Sequence, residues 1–328
     1  MPTPHISPPT VRDLVSDAAT APSMHNAQPW RFVYHRGAGV LDLRADPTRG
    51  MPYADPDHRA QFISCGAALF NLRVAAAHSG VAVHTSLLPE AEEPWLVARI
   101  RPGTEGTAAA TGVLASLHAA LSHRRTSRFP FEDRPLPDEV RQLLVREAEA
   151  EGARLLFPGG WHVRFLVDLV AEAEHHAEHA GDPDENRWLR VGPTPERAAD
   201  GVPWSAVGPR STDTAWYSRG FGHGTGRERA RVRFERHPQL AVLSTSDDDP
   251  PAWVLAGQAL ERVLLAATTV RVATGLTTQP LERRSLRWML RDPVQGQGAV
   301  QMILRLGYGP TGAGTRRRPV DDIFDVEA

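Results

Sequence analysis

Two pairs of segments in this sequence match each other, and these matches constrain the fold more than any other feature. Residues 65–76 (CGAALFNLRVAA) align without gaps to residues 256–267 (AGQALERVLLAA), and residues 11–19 (VRDLVSDAA) align to residues 140–148 (VRQLLVREA). Two copies of one unit must form the same elements, and they can pack about an approximate two-fold axis. We therefore predict an internal duplication, with one half over residues 1–118 and the other over residues 119–328.

The second half carries a surplus that the first half lacks. Residues 65–76 are separated from their match by more residues than residues 11–19 are from theirs. The smaller of these two separations also places Trp30 nearly opposite Trp161. The surplus therefore lies before the second long helix and corresponds to residues 181–235, which are rich in Gly, Pro, Trp and Arg. This segment is too long for an ordinary loop. We predict a lid-like insertion, which its glycines could open and its tryptophans could hold closed.

Periodicity predicts helices and strands in both halves. The first half begins with a helix, followed by a hairpin formed by WRFVYH and VLDLRA, a long helix over residues 57–79 and two further strands. The second half holds a helix after Pro137, the strands ARLLF, QLAVLSTS and VQMILRLGYG, a helix over residues 161–180 and a long helix over residues 252–274, with Gly275 as its C-cap. The fold class is α+β, with mixed sheets flanked by helices and the two long helices packed at the centre.

A short loop ahead of the first predicted strand holds more polar side chains than a connector needs. The stretch APSMHNAQPW places Ser23, His25, Asn26 and Gln28 directly before Trp30. Donors and acceptors at this density favour a loop that binds a polar, planar ligand, with the tryptophan as its packing anchor. An unusually decorated turn is the alternative.

Three polar stretches in the second half also favour ligand binding. They are RRTSR with Arg124, Arg125, Ser127 and Arg128, GLTTQP with Thr277, Thr278 and Gln279, and the RRR of residues 316–318 with Arg317 and Arg318. All 37 basic residues of the chain are arginines, so a bound anion must be held by guanidinium groups or by backbone amides. Clustered arginines beside a hydroxyl suit a phosphate monoester. Each cluster taken singly is equally typical of solvated surface charge.

Taken together, these motifs resemble the FMN-dependent nitroreductase family, and most closely its fused, single-chain branch of Acg-type proteins. The order S-x-x-N-x-Q-P-W, R-R-x-S-R, A-G-Q-A-L…L-L-A-A-T…G-L and a terminal Arg-Arg-Pro extends from Ala21 to Ile323. The resemblance implies a nitroreductase-like fold with FMN between two fused, pseudo-symmetric halves. It also implies that Arg124, Ser127 and Arg128 hold the FMN phosphate, with Arg317 and Arg318 closing on it from the tail.

The same resemblance assigns residues to the flavin ring. It implies that Thr277, Thr278 and Gln279 lie along one side of the ring, and that Pro22, Ser23 and Asn26 reach the ring and ribityl chain from the other half. We add Arg125, Gln28 and His25 to this set. His25 stands where dimeric members often carry a small polar residue, so contact with the flavin, contact with a substrate and simple packing all stay open.

Only one complete site is expected in each chain. The position in the second half that matches the polar loop reads FPGGWH, and the first half has HISPPT where a second RRTSR would stand. We therefore predict one FMN per chain.

The resemblance implies an oxidoreductase that passes a hydride from NAD(P)H through FMN to an electron-poor small molecule. No catalytic side chain is required, and we assign none. The alternative is an FMN-binding or sequestering protein whose insertion stays closed and permits little turnover.

Charge and composition exclude several other classes. A net charge of −2 offers no field for nucleic acid, and no apolar run approaches the length of a membrane span. The single cysteine, Cys65, is expected to be a buried thiol, and His175 and His179 have the spacing of helical metal ligands without a third ligand, so no metal site is expected. The glycine-rich stretch GFGHGTG is expected to serve the insertion. Without a signal sequence, we expect a cytoplasmic protein that is a monomer or a weak homodimer.

Overall fold

The first half of the chain alternates helices with pairs of strands. Its elements are α1 (Pro8–Ala18), β1 (Trp30–His35), β2 (Val40–Ala45), α2 (Arg59–His78), β3 (Val83–Leu87) and β4 (Leu96–Pro102). Ser7 is the N-cap of α1, because its hydroxyl accepts a hydrogen bond from the Thr10 amide. This computed structural model describes residues 7–103, 108–180, 183–191, 194, 197–212, 216, 219–221, 227–291 and 298–328.

Two short helices lead into a second half that repeats the pattern with additions. The elements are α3 (Ala108–Ser116), α4 (His118–Leu121), α5 (Asp138–Glu149), β5 (Arg154–Leu156), α6 (Gly160–Ala180), α7 (Pro183–Trp188), β6 (Leu189–Arg190), β7 (Val202–Pro203), β8 (Arg210–Ser211), β9 (Arg231–Val232), β10 (Gln239–Thr245), α8 (Pro250–Thr269), β11 (Ala273–Thr277), α9 (Arg284–Arg287), β12 (Ala299–Gly307) and β13 (Phe324–Glu327). Helices and strands together give the α+β class that the sequence predicts.

The two main sheets have the same strand order. One runs β13-β1-β2-β4-β3, and the other, given in the matching direction, runs β5-β10-β12-β11. Apart from β13, the chain forms each sheet in the same way. An antiparallel pair of strands comes first, a long helix follows it, and a second antiparallel pair then places its later strand beside the later strand of the first pair. The predicted duplication requires this arrangement, and the duplication itself stays a prediction.

The long helices α2 and α8 cross at a pair of glycines. A Cβ atom added to Gly66 would lie 2.1 Å from the Val254 carbonyl oxygen, and one added to Gly257 would lie 2.0 Å from the Ile63 carbonyl oxygen. The close approach is reciprocal, so each helix needs a glycine at the crossing. Gly66 and Gly257 are also matched positions in the predicted repeat.

One apolar helix corrects the prediction about membrane-length segments. Among the described residues, α2 is long and apolar enough to cross a membrane by length and composition alone. However, 83 % of that apolar stretch is buried inside the protein. A core helix that is packed on every side reads as hydrophobic all round.

The second predicted long helix is too long. It ends at Thr269, and Gly275 lies inside β11 instead of capping the helix. Thr268, Thr269 and Val270 are β-branched and lower the helix propensity at this end. Arg271 then takes a left-handed φ of 58°, which turns the chain into the strand.

The predicted match between Trp30 and Trp161 is wrong. Trp30 begins β1 and is fully buried, whereas Trp161 lies in the first turn of α6 and is 50 % exposed. The surplus of the second half also begins earlier than predicted. Residues 36–39 close the β1–β2 hairpin, but residues 157–238 connect β5 to β10, so α6 belongs to the surplus.

The C-terminal strand joins the sheet of the other half. β13 pairs in parallel with β1, with Phe32 opposite Phe324 and His35 opposite Glu327. The segment that carries the terminal arginines is therefore tied to the first half by a strand that the sequence patterns did not predict.

Candidate cofactor site

A cavity lies where the two halves meet. Its walls come from the polar loop, from α2 and α8, from the segment before α5, from β11 and from the C-terminal tail. The predicted site residues that line it are Pro22, Ser23, His25, Asn26, Arg124, Arg125, Ser127, Arg128, Thr277, Thr278, Gln279 and Arg317. The structure thus brings together nearly all of the predicted residues, and Gln28 and Arg318 are the two that lie outside the cavity wall.

Arg124, Arg125 and Arg317 form a first arginine group. The Nη2 atoms of Arg124 and Arg317 donate to the same carbonyl oxygen, that of Thr20, at 3.3 and 2.9 Å. Arg317 Nη2 also donates to the Ala21 carbonyl at 3.1 Å. Burial, followed by the nearby charge of Arg124, lowers the pKa of Arg317 to about 9. Carbonyl groups of the first half therefore hold arginines of the second half.

This first group keeps two buried N–H groups without hydrogen bonds. Among the described residues, Arg124 Nε and Arg317 Nε have no hydrogen-bond partner. Arg124 Nε lies 3.4 Å from a carboxylate oxygen of Glu261, which is itself fully buried. Arg124 Nε thus faces a carboxylate, whereas the Arg317 Nε–H has no hydrogen bond among the described residues, and a buried donor in that state favours an anion whose oxygens accept hydrogen bonds.

Glu261 is the carboxylate beside the first arginine group in the described part of the chain, and no sequence motif predicted it. It lies on α8 beside Arg124, Asn71 and Arg317, and burial raises its pKa to about 7 against the attraction of those arginines. Its one sequence signal is a single carboxylate, followed by Arg262, in the otherwise apolar stretch ALERVLLAA.

Arg128 belongs to a second arginine group with Arg219 and Arg229 of the insertion. Its Nη1 donates to the Ala206 carbonyl at 3.0 Å, and its guanidinium lies 5.3 Å from the centre of the Phe221 ring. Burial and then the charges of Arg219 and Arg229 lower the pKa of Arg128 to about 10. The electrostatic neighbours of Arg128 are thus residues of the insertion and not those of the first group.

The polar loop has an uncommon backbone conformation. His25, Asn26 and Gln28 have φ values of 49°, 56° and 52°, in the left-handed region that favours glycine. Such residues persist only where their surroundings hold them. Here the Ser23 hydroxyl accepts a hydrogen bond from the Gln28 amide at 2.9 Å.

Most polar side chains of this loop bond to protein groups. Asn26 Nδ2 donates to the Gly201 carbonyl at 3.0 Å, and Gln28 Nε2 donates to the Ala199 carbonyl at 2.8 Å. Gln28 Oε1 accepts from the backbone amide of Arg318 at 2.8 Å. The loop's polar groups therefore join it to the insertion and the tail, which the sequence analysis did not foresee.

His25 is the exception in this loop. It lines the cavity, is buried, and packs edge-on against Phe221 at a centroid distance of 5.6 Å. Burial, followed by the charges of Arg219 and Arg128, lowers its pKa well below the usual value, so the ring is neutral near pH 7. Its Nε2 atom has no hydrogen-bond partner among the described residues.

The remaining predicted residues combine cavity lining with internal hydrogen bonds. The Ser127 hydroxyl donates to the Pro310 carbonyl at 2.7 Å, and the Thr278 hydroxyl donates to Glu282 at 2.7 Å. Gln279 Nε2 donates to Glu174 at 3.3 Å. The Ser127 hydroxyl hydrogen is thus committed to the tail.

The insertion packs on both halves. Trp188 packs with Ala27, Met51 and Ala54 of the first half, whereas Trp216 belongs to an apolar cluster of the second half. The insertion supplies Trp216, one of the tryptophans expected to hold it closed, and further cavity residues that no local motif indicated, namely Val202, Val207, Arg219, Phe221 and Arg229. Tyr217 and the glycines at 222, 224 and 226 lie outside the described residues.

Cys65 and the histidine pair His175 and His179 are the remaining features named from the sequence. Cys65 is fully buried, and burial raises the pKa of its thiol. Within the described part of the chain, no group of three or more His, Cys, Asp or Glu side chains could hold a metal ion. The side chain of His179 lies outside that part.

Comparison with known proteins gives full-length relatives. No protein-family model matches the chain. It is 30 % identical over 322 residues to the Mycobacterium tuberculosis protein named "Putative NAD(P)H nitroreductase Rv3131", covering 96 % of this chain and 91 % of that protein. It is 27 % identical over 350 residues to "Putative NAD(P)H nitroreductase acg" of the same organism, covering 100 % of this chain and 99 % of that one.

Solved structures give a more distant similarity. A nitroreductase with bound FMN from Desulfitobacterium hafniense is 17 % identical, with 64 % of this chain and 98 % of that chain covered and a TM-score of 0.36. A nitroreductase with bound FMN from Bacteroides fragilis is 14 % identical, with 62 % and 94 % covered and a TM-score of 0.34.

Proposed function

We propose, since the chain belongs to the nitroreductase family and matches its Acg-like members over nearly its whole length, that it is an FMN-dependent oxidoreductase. The substrates proposed are NAD(P)H as hydride donor and an electron-poor small molecule as acceptor. One observation carries the proposal. Arg124 and Arg317 present buried N–H groups without hydrogen bonds in a cavity between the halves.

The donor set of the first arginine group fits a terminal phosphate. Arg124 lies close enough to Arg125 and Arg317 that its charge, after burial, lowers the pKa of both, and Glu261 is the one carboxylate beside the group among the described residues. A phosphate dianion would offset the excess positive charge and accept a bond from the Nε–H of Arg317. The first group would therefore hold the FMN phosphate.

The second arginine group and His25 would face the other part of the cofactor or the acceptor. When bound, FMN accepts the hydride from NAD(P)H and passes it to the acceptor. Arg128 would stabilise negative charge in the cavity, because its own charge is buried beside two other arginines. His25, which is neutral, would donate or accept one hydrogen bond through Nε2, while Phe221 and Trp216 exclude water.

A second candidate function is FMN sequestration with little turnover. The packing of Trp188 on the first half and of Trp216 in the second half favours it, because anchors on both sides would hold the insertion over the cavity. The two candidates share the cofactor and differ only in whether the insertion opens. We further propose a cytoplasmic protein that is a monomer or a weak homodimer, with one FMN per chain.

The visible spectrum of the purified protein tests both candidates. We expect about one FMN per chain to be released on denaturation, and bleaching of the bound flavin when NADPH or NADH is added without oxygen. Bound FMN that neither donor bleaches, but that dithionite does, would support sequestration. Failure to bind FMN after reconstitution would overturn both candidates.

A further inference from the structure

Three distant segments of the chain meet at the side chain of Asn26. Its Nδ2 atom donates to the carbonyl of Gly201 in the insertion at 3.0 Å and to the carbonyl of Arg316 in the tail at 3.2 Å. Its Oδ1 atom accepts a hydrogen bond from Arg317 Nη1 at 3.1 Å. Both donors of the amide are therefore used by the protein, although Asn26 lines the cavity.

Asn26 is one of several groups that fix Arg317, since its Nη1 also lies 3.1 Å from the Thr315 carbonyl and 3.3 Å from the Arg316 carbonyl. Besides Asn26, its Nη1 atom reaches the hydroxyl of Thr315 at 2.8 Å, and its Nη2 atom reaches the carbonyls of Thr20 and Ala21. A guanidinium group is planar, so bonds at both terminal nitrogens fix the direction of the remaining Nε–H. That Nε–H is the group without a partner among the described residues.

We propose that Asn26 is a positioning residue, which orients Arg317 for the phosphate of FMN and does not itself recognise the flavin. This inference rests on the proposed FMN site, and it departs from the ring and ribityl contact that the sequence resemblance implies for Asn26. It assigns phosphate selectivity to a side chain of the half that carries neither arginine cluster.

The test compares FMN with riboflavin, which lacks the phosphate. Because Asn26 has a left-handed φ of 56°, Asn26→Gly removes the side chain without backbone strain, and Asn26→Asp keeps its shape while adding a negative charge beside Arg317. Gln28→Gly is the matched control. Gln28 has a φ of 52° and bonds to the same two segments, but it has no contact with the Arg317 side chain.

We expect Asn26→Gly to reduce the preference for FMN over riboflavin about tenfold, as for one hydrogen bond to a charged group. Asn26→Asp should reduce it further, because the new carboxylate repels the phosphate. Riboflavin affinity should stay within about threefold of wild type, and Gln28→Gly should leave the preference unchanged. In an Arg317→Ala background, Asn26→Gly should cause no further loss.

Other outcomes would overturn the inference. Equal losses for FMN and riboflavin in Asn26→Gly would mean that Asn26 contacts the ring or only shapes the loop. An equal loss of preference in Gln28→Gly would mean that loosening the loop is sufficient. If the wild type bound neither flavin, the proposed function would fail, and inorganic phosphate would test Asn26 separately. Thermal stabilisation by phosphate should then be lost in Asn26→Asp, and its retention would overturn the inference.

Discussion

The two long helices cross symmetrically but face different surroundings. Gly66 of α2 and Gly257 of α8 make the same close approach to the opposite backbone. Four residues further along each helix, the predicted repeat sets Phe70 against Glu261, and both are fully buried. Phe70 packs in an apolar cluster with Leu117 of the connection before α4, whereas Glu261 lies beside arginines of the candidate site. The central frame is thus similar in both halves, and of these two matched positions the one on α8 carries the buried charged side chain.

The connections between matching strands differ in the same way. Residues 36–39 form a tight turn between β1 and β2, but residues 157–238 connect β5 to β10 and include the insertion. Arg219 and Phe221 of that connection line the cavity. Two sheets of the same strand order, of which one has an elaborated connection, are what the predictions of a duplication and of a single site require.

The largest loss of stability is expected at the crossing of α2 and α8, where the two halves are alike. Gly66→Ala and Gly257→Ala should each destabilise the protein by about 3 kcal/mol or more, because the added Cβ would collide with backbone that cannot move freely. Urea unfolding measures this, with Gly112→Ala as the control, since a Cβ there meets no atom within 4 Å. A large loss of stability at only one of the two glycines would show that the crossing is not symmetric.

Much of this frame could be predicted from the sequence, because local patterns determine it. The hairpin of WRFVYH and VLDLRA follows from its strand-forming residues and the turn between them, and the helix that ends near Gly80 follows from a long apolar, alanine-rich stretch without proline. β13 could not be predicted, because the short stretch FDVE becomes a strand only by pairing with β1, almost three hundred residues away. Non-local pairing of that kind leaves no local signal.

The next largest effect is a pH dependence of stability that is expected from Glu261, the position at which the two long helices differ. The pKa of Glu261 is raised from 4.5 to about 7, so the folded state binds more protons than the unfolded state between these values. Its contribution to stability is therefore present below about pH 4.5 and is lost as the pH rises through about 7. The loss amounts to about 3 kcal/mol at most.

Urea unfolding of wild type and Glu261→Gln at pH 5 and pH 8 measures this contribution. The wild type should lose up to about 3 kcal/mol more than the variant between the two pH values, because glutamine does not titrate. Parallel pH profiles would show that Glu261 stays charged in the folded protein and forms a full ion pair with Arg124.

A smaller effect separates two adjacent arginines of the tail. Arg317→Ala should weaken FMN binding by about 1.5–3 kcal/mol, or roughly ten- to hundredfold, through loss of a charge-assisted bond. Arg318→Ala is the matched control, since Arg318 lies outside the cavity wall and bonds to carbonyls of Gln28 and Asp322. Equal losses in the two variants would indicate a general disturbance of the tail instead of contact with the phosphate.

The site could be predicted only in part. Motifs located most of the cavity residues, because each lies in a short stretch with a recognisable order. They did not reveal Arg219, Phe221 or Arg229, whose positions depend on how the insertion packs. They also did not reveal that Asn26 and Gln28 bond to the insertion and the tail, since such partners are remote in sequence.

The smallest effect concerns the insertion, which has no counterpart in the first half. Trp188 is its anchor on the first half, packed on Ala27 and Met51 with the Arg49 guanidinium 4.9 Å from its ring centre. Trp188→Ala should loosen that anchor and raise NAD(P)H oxidation with a quinone or nitroaromatic acceptor by about two- to fivefold, if opening limits turnover.

Trp288→Ala is the control for that experiment, because Trp288 is 67 % exposed. Bleaching of the flavin by NADPH only in Trp188→Ala would mean that the wild-type insertion stays closed and that sequestration is the native role. An unchanged rate with normal FMN content would mean that the insertion forms a fixed wall and does not control access. The elaborated connection would then serve only to complete the pocket, and the difference between the two halves would concern binding alone.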